Sequence, residues 1–375
     1  MDASRRSFWA AFVAAVSFFA AFYSLIVPLP IYMTDMGIPD WQIGVIMGAF
    51  GIASLIGRPF AGYISDRYGF KPVILFGSVA LAIGGFGVPL TADPAVLFGL
   101  RMLQAAGYVA FTTASTALVS ALIGDHERGR FLALYGAAAN VAITIVPAVV
   151  TTMLPSIGLV GAFVSSGVMA IGAGLLIWWV IPRQALSDTQ FIWREVFTYP
   201  RQLWPAMATT ALFGVGFGAY FQYLPLLAEK RGIEQLGLAY TVYGVAIILT
   251  RLTTGRLLDL PDRRRVLLPA AVVMATGLLG FALADSLWML LVAAALTASG
   301  GGVFHPALIA IHVDSIEARG KATAAFYLAF DLGIGVGAWL LAPILEYAGI
   351  GAMYAVAAAI TLAAGFTKRF IGQTR

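Results

Sequence analysis

The sequence predicts an all-α integral membrane protein with twelve crossings, arranged as two parallel six-helix repeats. Three observations predict it. First, 60% of the 375 residues are hydrophobic and 11% are charged, against about 25% charged in a soluble domain. A water-facing surface cannot be built from so few polar residues, so the solvent is a bilayer. Second, apolar windows of about 20 residues, the length that spans a bilayer as a helix, recur along the chain. Third, a charged, glycine-punctuated stretch near residue 60 returns 193 residues later.

Polar clusters divide the chain into crossings at 8–33, 41–64, 72–91, 95–123, 130–153 and 157–181. A polar stretch follows, and then 203–228, 236–258, 266–284, 287–313, 320–345 and 349–367. The first apolar run follows Arg5 and Arg6 and is too long for a signal-peptide core, so it reads as a retained crossing. Interior Pro and Gly are compatible with membrane helices, whose neighbours satisfy the freed backbone groups. With the N-terminus inside, cytoplasmic segments hold 18 of the 23 Lys and Arg. Outer loops hold Lys230 and Arg231, and Arg58, Arg101 and Arg251 lie within helices. The positive-inside rule then places both termini in the cytosol, which requires an even number of crossings. The net charge of +5 is spread over loops that face lipid headgroups, and does not suggest nucleic acid. Absence of cysteine excludes disulfides and thiolate metal sites.

Arg58, Gly62 and Asp66 match Arg251, Gly255 and Asp259 at one offset of 193. "E-R-G-R" at 127–130 resembles "A-R-G-K" at 318–321 at offset 191. The chain therefore reads as a duplicated six-helix unit: residues 1–181, a cytoplasmic linker over 182–202, and residues 203–375. Six is even, so both halves share one orientation about an axis normal to the membrane. Each charged repeat falls at the cytoplasmic end of a crossing. There Gly62 is expected to admit a neighbouring helix, and Asp66 to accept from the helix N-terminus of the eleventh crossing.

"G-Y-I-S-D-R-Y-G-F-K" at 62–71 resembles the signature loop of the major facilitator superfamily, with Phe70 in place of one basic residue. "R-M-L-Q-A-A-G" at 101–107 resembles the family's fourth-helix motif, with Ala105 for its first glycine. The resemblance implies a secondary transporter working by alternating access, with crossings 1, 4, 7 and 10 lining a cavity. It implies gating roles for Arg58, Gly62, Asp66, Arg67 and Lys71, and for Arg251, Gly255 and Asp259. The short loops and "D-L-G-I-G-V-G" at 331–337 look like the bacterial drug- and sugar-efflux branch. The fifth crossing departs from that branch: Val146 precedes Pro147 and most of the glycines are missing.

Ionisable groups inside a membrane are costly and so are functional candidates. Arg101 is expected to hold an anionic group or to tune an acid, with Gln104 beside it in the motif. Asp331, about 16 Å along its helix from the cytoplasmic end, and His305 at a similar depth are candidates for carrying a proton. The alternative for Asp331 is a latch with Arg58, and Asn140 aligns with Asp331 at offset 191. The alternative for His305 is bonding to carbonyls freed by Pro306. Tyr23, Tyr220 and Gln222 are expected to line the cavity, and His312 to be solvated. Arg263–Arg265 read as orientation charges.

The dispersed histidines suggest no metal site, and no phosphate-binding loop is present, so no cofactor is expected. The leading reading is a monomeric, proton-coupled exporter of a small organic solute in the cytoplasmic membrane. The alternative is a symporter or uniporter importing a sugar or organic acid. A transporter-like nutrient sensor ranks below these, and an intramembrane enzyme last, because no nucleophile, base and acid converge at one depth.

Overall fold

A computed structural model describes residues 3–123, 125–181, 198–254 and 262–371. Every regular element among them is helical. Ten stretches are long and apolar enough to cross a membrane. Two of these, Leu134–Val180 and Lys321–Phe366, have 47 and 46 residues, about 70 Å of helix and so twice a bilayer. One glycine with positive φ interrupts each: Gly158 at +66° and Gly349 at +82°. Only glycine enters that region without strain. Each long stretch thus has the length of two crossings with a glycine break between them, the arrangement that a twelve-crossing chain requires. The two glycines lie 191 residues apart, so the duplication is visible in the backbone as well as in the sequence.

The chain divides into two compact units. The first comprises Met1–Tyr32 and Ile52–Val196. Its first crossing is built of two helices, Ala3–Tyr23 and the beginning of Pro28–Asp35. Pro28 and Pro30 lack N–H groups and would clash with the preceding turn, so the helix unwinds over residues 24–27. Side chains take over where the backbone pattern fails. Ser24 Oγ and Ser166 Oγ of the sixth crossing both donate to the Ala21 carbonyl, at 2.8 and 2.7 Å. Crossings three and four meet backbone to backbone, since a Cβ on Gly107 would lie 2.7 Å from the Gly77 oxygen.

The second unit comprises Met33–Gly51 and Phe197–Arg375. The glycine run of the eleventh crossing is shared between two neighbours. Gly337 packs on Val215 of the seventh crossing, where an added Cβ would meet the Val215 Cα at 3.0 Å, and Gly333 packs on Ala211. Gly335, on another face, meets Gly51. Trp339 Nε1 donates to the Val45 carbonyl at 3.1 Å, and Lys230 pairs with Asp40 at 2.6 Å.

The charged stretch that opens the repeat differs from the loop expected. The helix Asp40–Tyr68 runs through Asp66 and Arg67, and the next begins at Phe70. Only Gly69, with φ of +87°, lies between them. Lys71 then donates to the carbonyls of Trp178 (2.6 Å) and Ile181 (3.0 Å), with its ammonium 4.8 Å from the Trp178 ring centre. A cation there complements the C-terminal end of the sixth crossing. In the second unit Arg264, 193 residues after Lys71, donates to the Ile371 carbonyl at 2.7 Å. Arg263 pairs with Asp314, and Arg264 and Arg265 both with Asp262, so all three arginines expected only to set orientation hold ion-pair partners.

Candidate functional site

Arg101 lies about two turns into the helix Pro94–Leu122 and is 5% exposed. Its Nη1 donates to Gln104 Oε1 at 3.1 Å, one turn on, and its guanidinium carbon sits 5.6 Å from the Phe22 ring centre. Among the described residues Arg101 pairs with no carboxylate. Arg101 Nε and Gln104 Nε2 are buried without a hydrogen-bond partner. An unpaired buried donor costs about 1–3 kcal/mol, and a buried cation without a counter-charge costs several. Gln104 fits because Gly84 of the third crossing faces it without a side chain. Around the pair, Phe22 lies 4.4 Å from Tyr108, Tyr108 6.0 Å from Phe19, and Phe19 6.4 Å from Tyr23. Tyr23 and Tyr108 are half-buried.

The internal repeat supplies a control within the same molecule. The Gly84–Gln104 contact recurs as Gly277–Thr297, and Gly77–Gly107 as Ala270–Gly300, all at offset 193. At that offset Arg101 corresponds to Ala294, which is fully buried. The fold thus builds this helix pair without an arginine or a glutamine.

In the second unit His305 is half-buried within a cage of phenylalanines. Phe326 and Phe330 present ring centres at 4.9 and 5.3 Å, near perpendicular, and Phe213 lies at 6.3 Å. Asp331, next to Phe330, is 3% exposed. Gln222 is 5% exposed, and its Oε1 has no partner among the described residues.

Other expected positions fall elsewhere. Tyr220 is fully buried: its hydroxyl donates to the Ala239 carbonyl at 3.2 Å and its ring stacks on Tyr243 at 4.4 Å. It belongs to the core rather than to a cavity wall, because Phe221, Tyr240, Tyr243 and Phe281 fill the space around it. His312 is buried rather than solvated, with Nδ1 2.8 Å from the Leu308 carbonyl. Gly62 faces open space instead of a packed helix. Asp66 is exposed, Arg67 donates to the Tyr63 hydroxyl at 2.6 Å, Arg58 and Asn140 are half-buried, and Arg251 is exposed. Gly255, Asp259 and linker residues 182–197 lie outside the described residues. Among the described residues no three metal-ligating side chains gather. Phe22, Tyr108 and Gly84 were not singled out from sequence. The four-residue step from Phe18 to Phe22, one helical face, is a signal by which the first of them was findable.

The model of the Major Facilitator Superfamily matches residues 8–236 and 232–372. The uncharacterized MFS-type transporter YhhS of Escherichia coli is 25% identical over 361 residues, covering 91% of this chain and 87% of its own. The Salmonella paratyphi C protein of the same name is 27% identical over 357 residues, with the same coverage. The nucleoside transporter NupG superposes with a TM-score of 0.79 at 14% identity, over 97% of this chain and 99% of its own. The human organic anion transporter MFSD10 does so at 0.72 and 18%, with the same coverage.

Proposed function

Since this chain belongs to the major facilitator superfamily, we propose that it moves a small organic anion across the cytoplasmic membrane by alternating access, exporting it in exchange for protons. One observation carries the choice of an anion: among the described residues Arg101 is buried with an unused donor and no carboxylate partner, while its repeat-related position is an alanine. A cation kept where the fold does not need it, and left uncompensated, is matched by a negative charge that arrives and leaves. The name of the structurally similar MFSD10, an organic anion transporter, agrees with this reading.

Proton coupling rests on Asp331 and His305, the ionisable side chains placed deep in crossings of the second unit. Export rests on the resemblance of the short loops and of residues 331–337 to the efflux branch. A second reading, inward proton symport, is favoured by the fifth crossing, where Val146–Pro147 stands in place of a Gly-Pro pair. In both, the chain is a multi-pass protein with its two termini in the cytosol. Radiolabelled organic anions offered to everted vesicles test the proposal. We expect accumulation driven by an inwardly acid gradient, its collapse by a protonophore, and its loss in Arg101→Gln. Uptake into right-side-out vesicles alone favours symport, and transport of neutral or cationic solutes that survives Arg101→Gln refutes the anion reading.

A further inference from the structure

We infer that Arg101 and Gln104 form a fork for one carboxylate, so that the transported solute is a monocarboxylate rather than a dicarboxylate or a phosphate ester. This rests on the anion reading above and sharpens it. The first argument is hydrogen-bond polarity. Gln104 Oε1 already occupies Arg101 Nη1. The unpaired groups that remain, Arg101 Nε and Gln104 Nε2, are both N–H donors. A ligand that satisfies them brings acceptors only. A carboxylate brings two acceptor oxygens and no hydrogen, one oxygen for each of these two donors.

The second argument is charge. Arg101 is the one charged side chain buried among the described residues of the first unit. The groups against it are the Phe22 ring of the first crossing and Gln104 of its own helix, and the aromatic cluster continues from Phe22 through Tyr108 and Phe19 to Tyr23. None of these adds a second cation. A single negative charge is neutralised there. A dianion carries one charge that nothing compensates, and an uncompensated buried charge is strongly unfavourable.

The third argument is the repeat. Thr297 stands where Gln104 stands and Ala294 where Arg101 stands, in the same glycine-mediated packing. Arginine and glutamine are thus present together or absent together, as a pair that serves one ligand requires.

The test uses the full-length protein in detergent and four probes built on one ring: benzoate, isophthalate, phenyl phosphate and benzamide. Calorimetry is expected to give benzoate at least a tenfold lower Kd than any of the others. Arg101→Gln is expected to abolish benzoate binding. Gln104→Glu supplies the carboxylate internally, so it is expected to lose benzoate by more than tenfold while its melting temperature stays at or above that of the wild type. Equal or tighter binding of isophthalate or phenyl phosphate overturns the single-carboxylate inference and leaves the anion reading standing. Preference for benzamide, or no binding of benzoate at 10 mM, overturns both. Unchanged benzoate affinity in Gln104→Glu overturns the fork even where benzoate binds.

Discussion

At Gly333, Gly335 and Gly337 of the eleventh crossing, a single methyl group decides whether two helices can pack. Gly333 faces the backbone of Ala211, and Gly335 faces the backbone of Gly51. Neither neighbour has a side chain end that can swing away. Gly333→Ala and Gly335→Ala are each expected to lower stability by about 1–3 kcal/mol, the usual penalty of overpacking, read as a fall in melting temperature. Gly62→Ala should change it by less than about 0.5 kcal/mol, because nothing lies within 4 Å of the added methyl. Gly62 and Gly335 look alike in a sequence. Which of them is pressed against backbone depends on residues more than a hundred positions away. The same limit hid the burial of Tyr220 and His312, since an apolar stretch announces that a helix crosses but not which face meets protein. Arg101 and Gln104 were legible because they sit one turn apart on a single helix, so their pairing is local.

The joints between elements carry charges whose work the sequence left ambiguous. Lys71 looked like part of a gating loop, yet it also ties the start of the third crossing to the end of the sixth, 107 and 110 residues on. Lys71→Met keeps the length of the side chain and removes these bonds. It is expected to cost about 1 kcal/mol, with Lys71→Arg, which keeps the charge and the donors, losing less. Arg264→Met should behave alike in the second unit. Its partner Asp262 adds a dependence on pH. The Arg264 hydrogen bond holds the Asp262 carboxyl below its ordinary value of 3.8. A depressed folded pKa gives stability that is complete above the ordinary value and is lost as pH falls through the folded one. Thermal melts should therefore show a loss below about pH 4 that is absent in Asp262→Asn, and modest because the pair is partly exposed and screened. The apolar helices were readable in advance because hydropathy is a one-dimensional signal. The one-residue joint at Gly69 was not, because polar side chains at a helix end mimic a loop.

For the molecule as a whole, the absence of cysteine makes single thiols clean reporters of topology. Cysteine at Ser4 or Phe370 is expected to react with an impermeant maleimide only in everted vesicles, and cysteine at Glu234 only in right-side-out ones. The reverse pattern for any one of them refutes the assigned orientation. Within the second unit the Asp40–Lys230 pair is half-exposed and should contribute about 0.2–1 kcal/mol. Asp40→Lys should lose it, and Asp40→Lys with Lys230→Asp should regain it at low salt. The duplication was legible from the offsets 191 and 193. Its consequence for Arg101, an arginine without a counterpart, needed the paired glycine contacts that fix which residues correspond.

The turns at Gly69, Gly158 and Gly349 also bear on how the folded protein meets a protease. An endoprotease must draw several residues of extended backbone into its cleft, and such cleavage sites concentrate in loop tips. At each of these turns a single residue departs from helix, and the next hydrogen-bonded turn begins at once. Cutting there requires several residues of helix to fray first, so it reports local opening rather than surface access. Native protein should therefore resist trypsin at Arg67 and Lys71 on the timescale that cleaves the heat-denatured chain. Any variant that is cut there first has lost the seating of its third crossing.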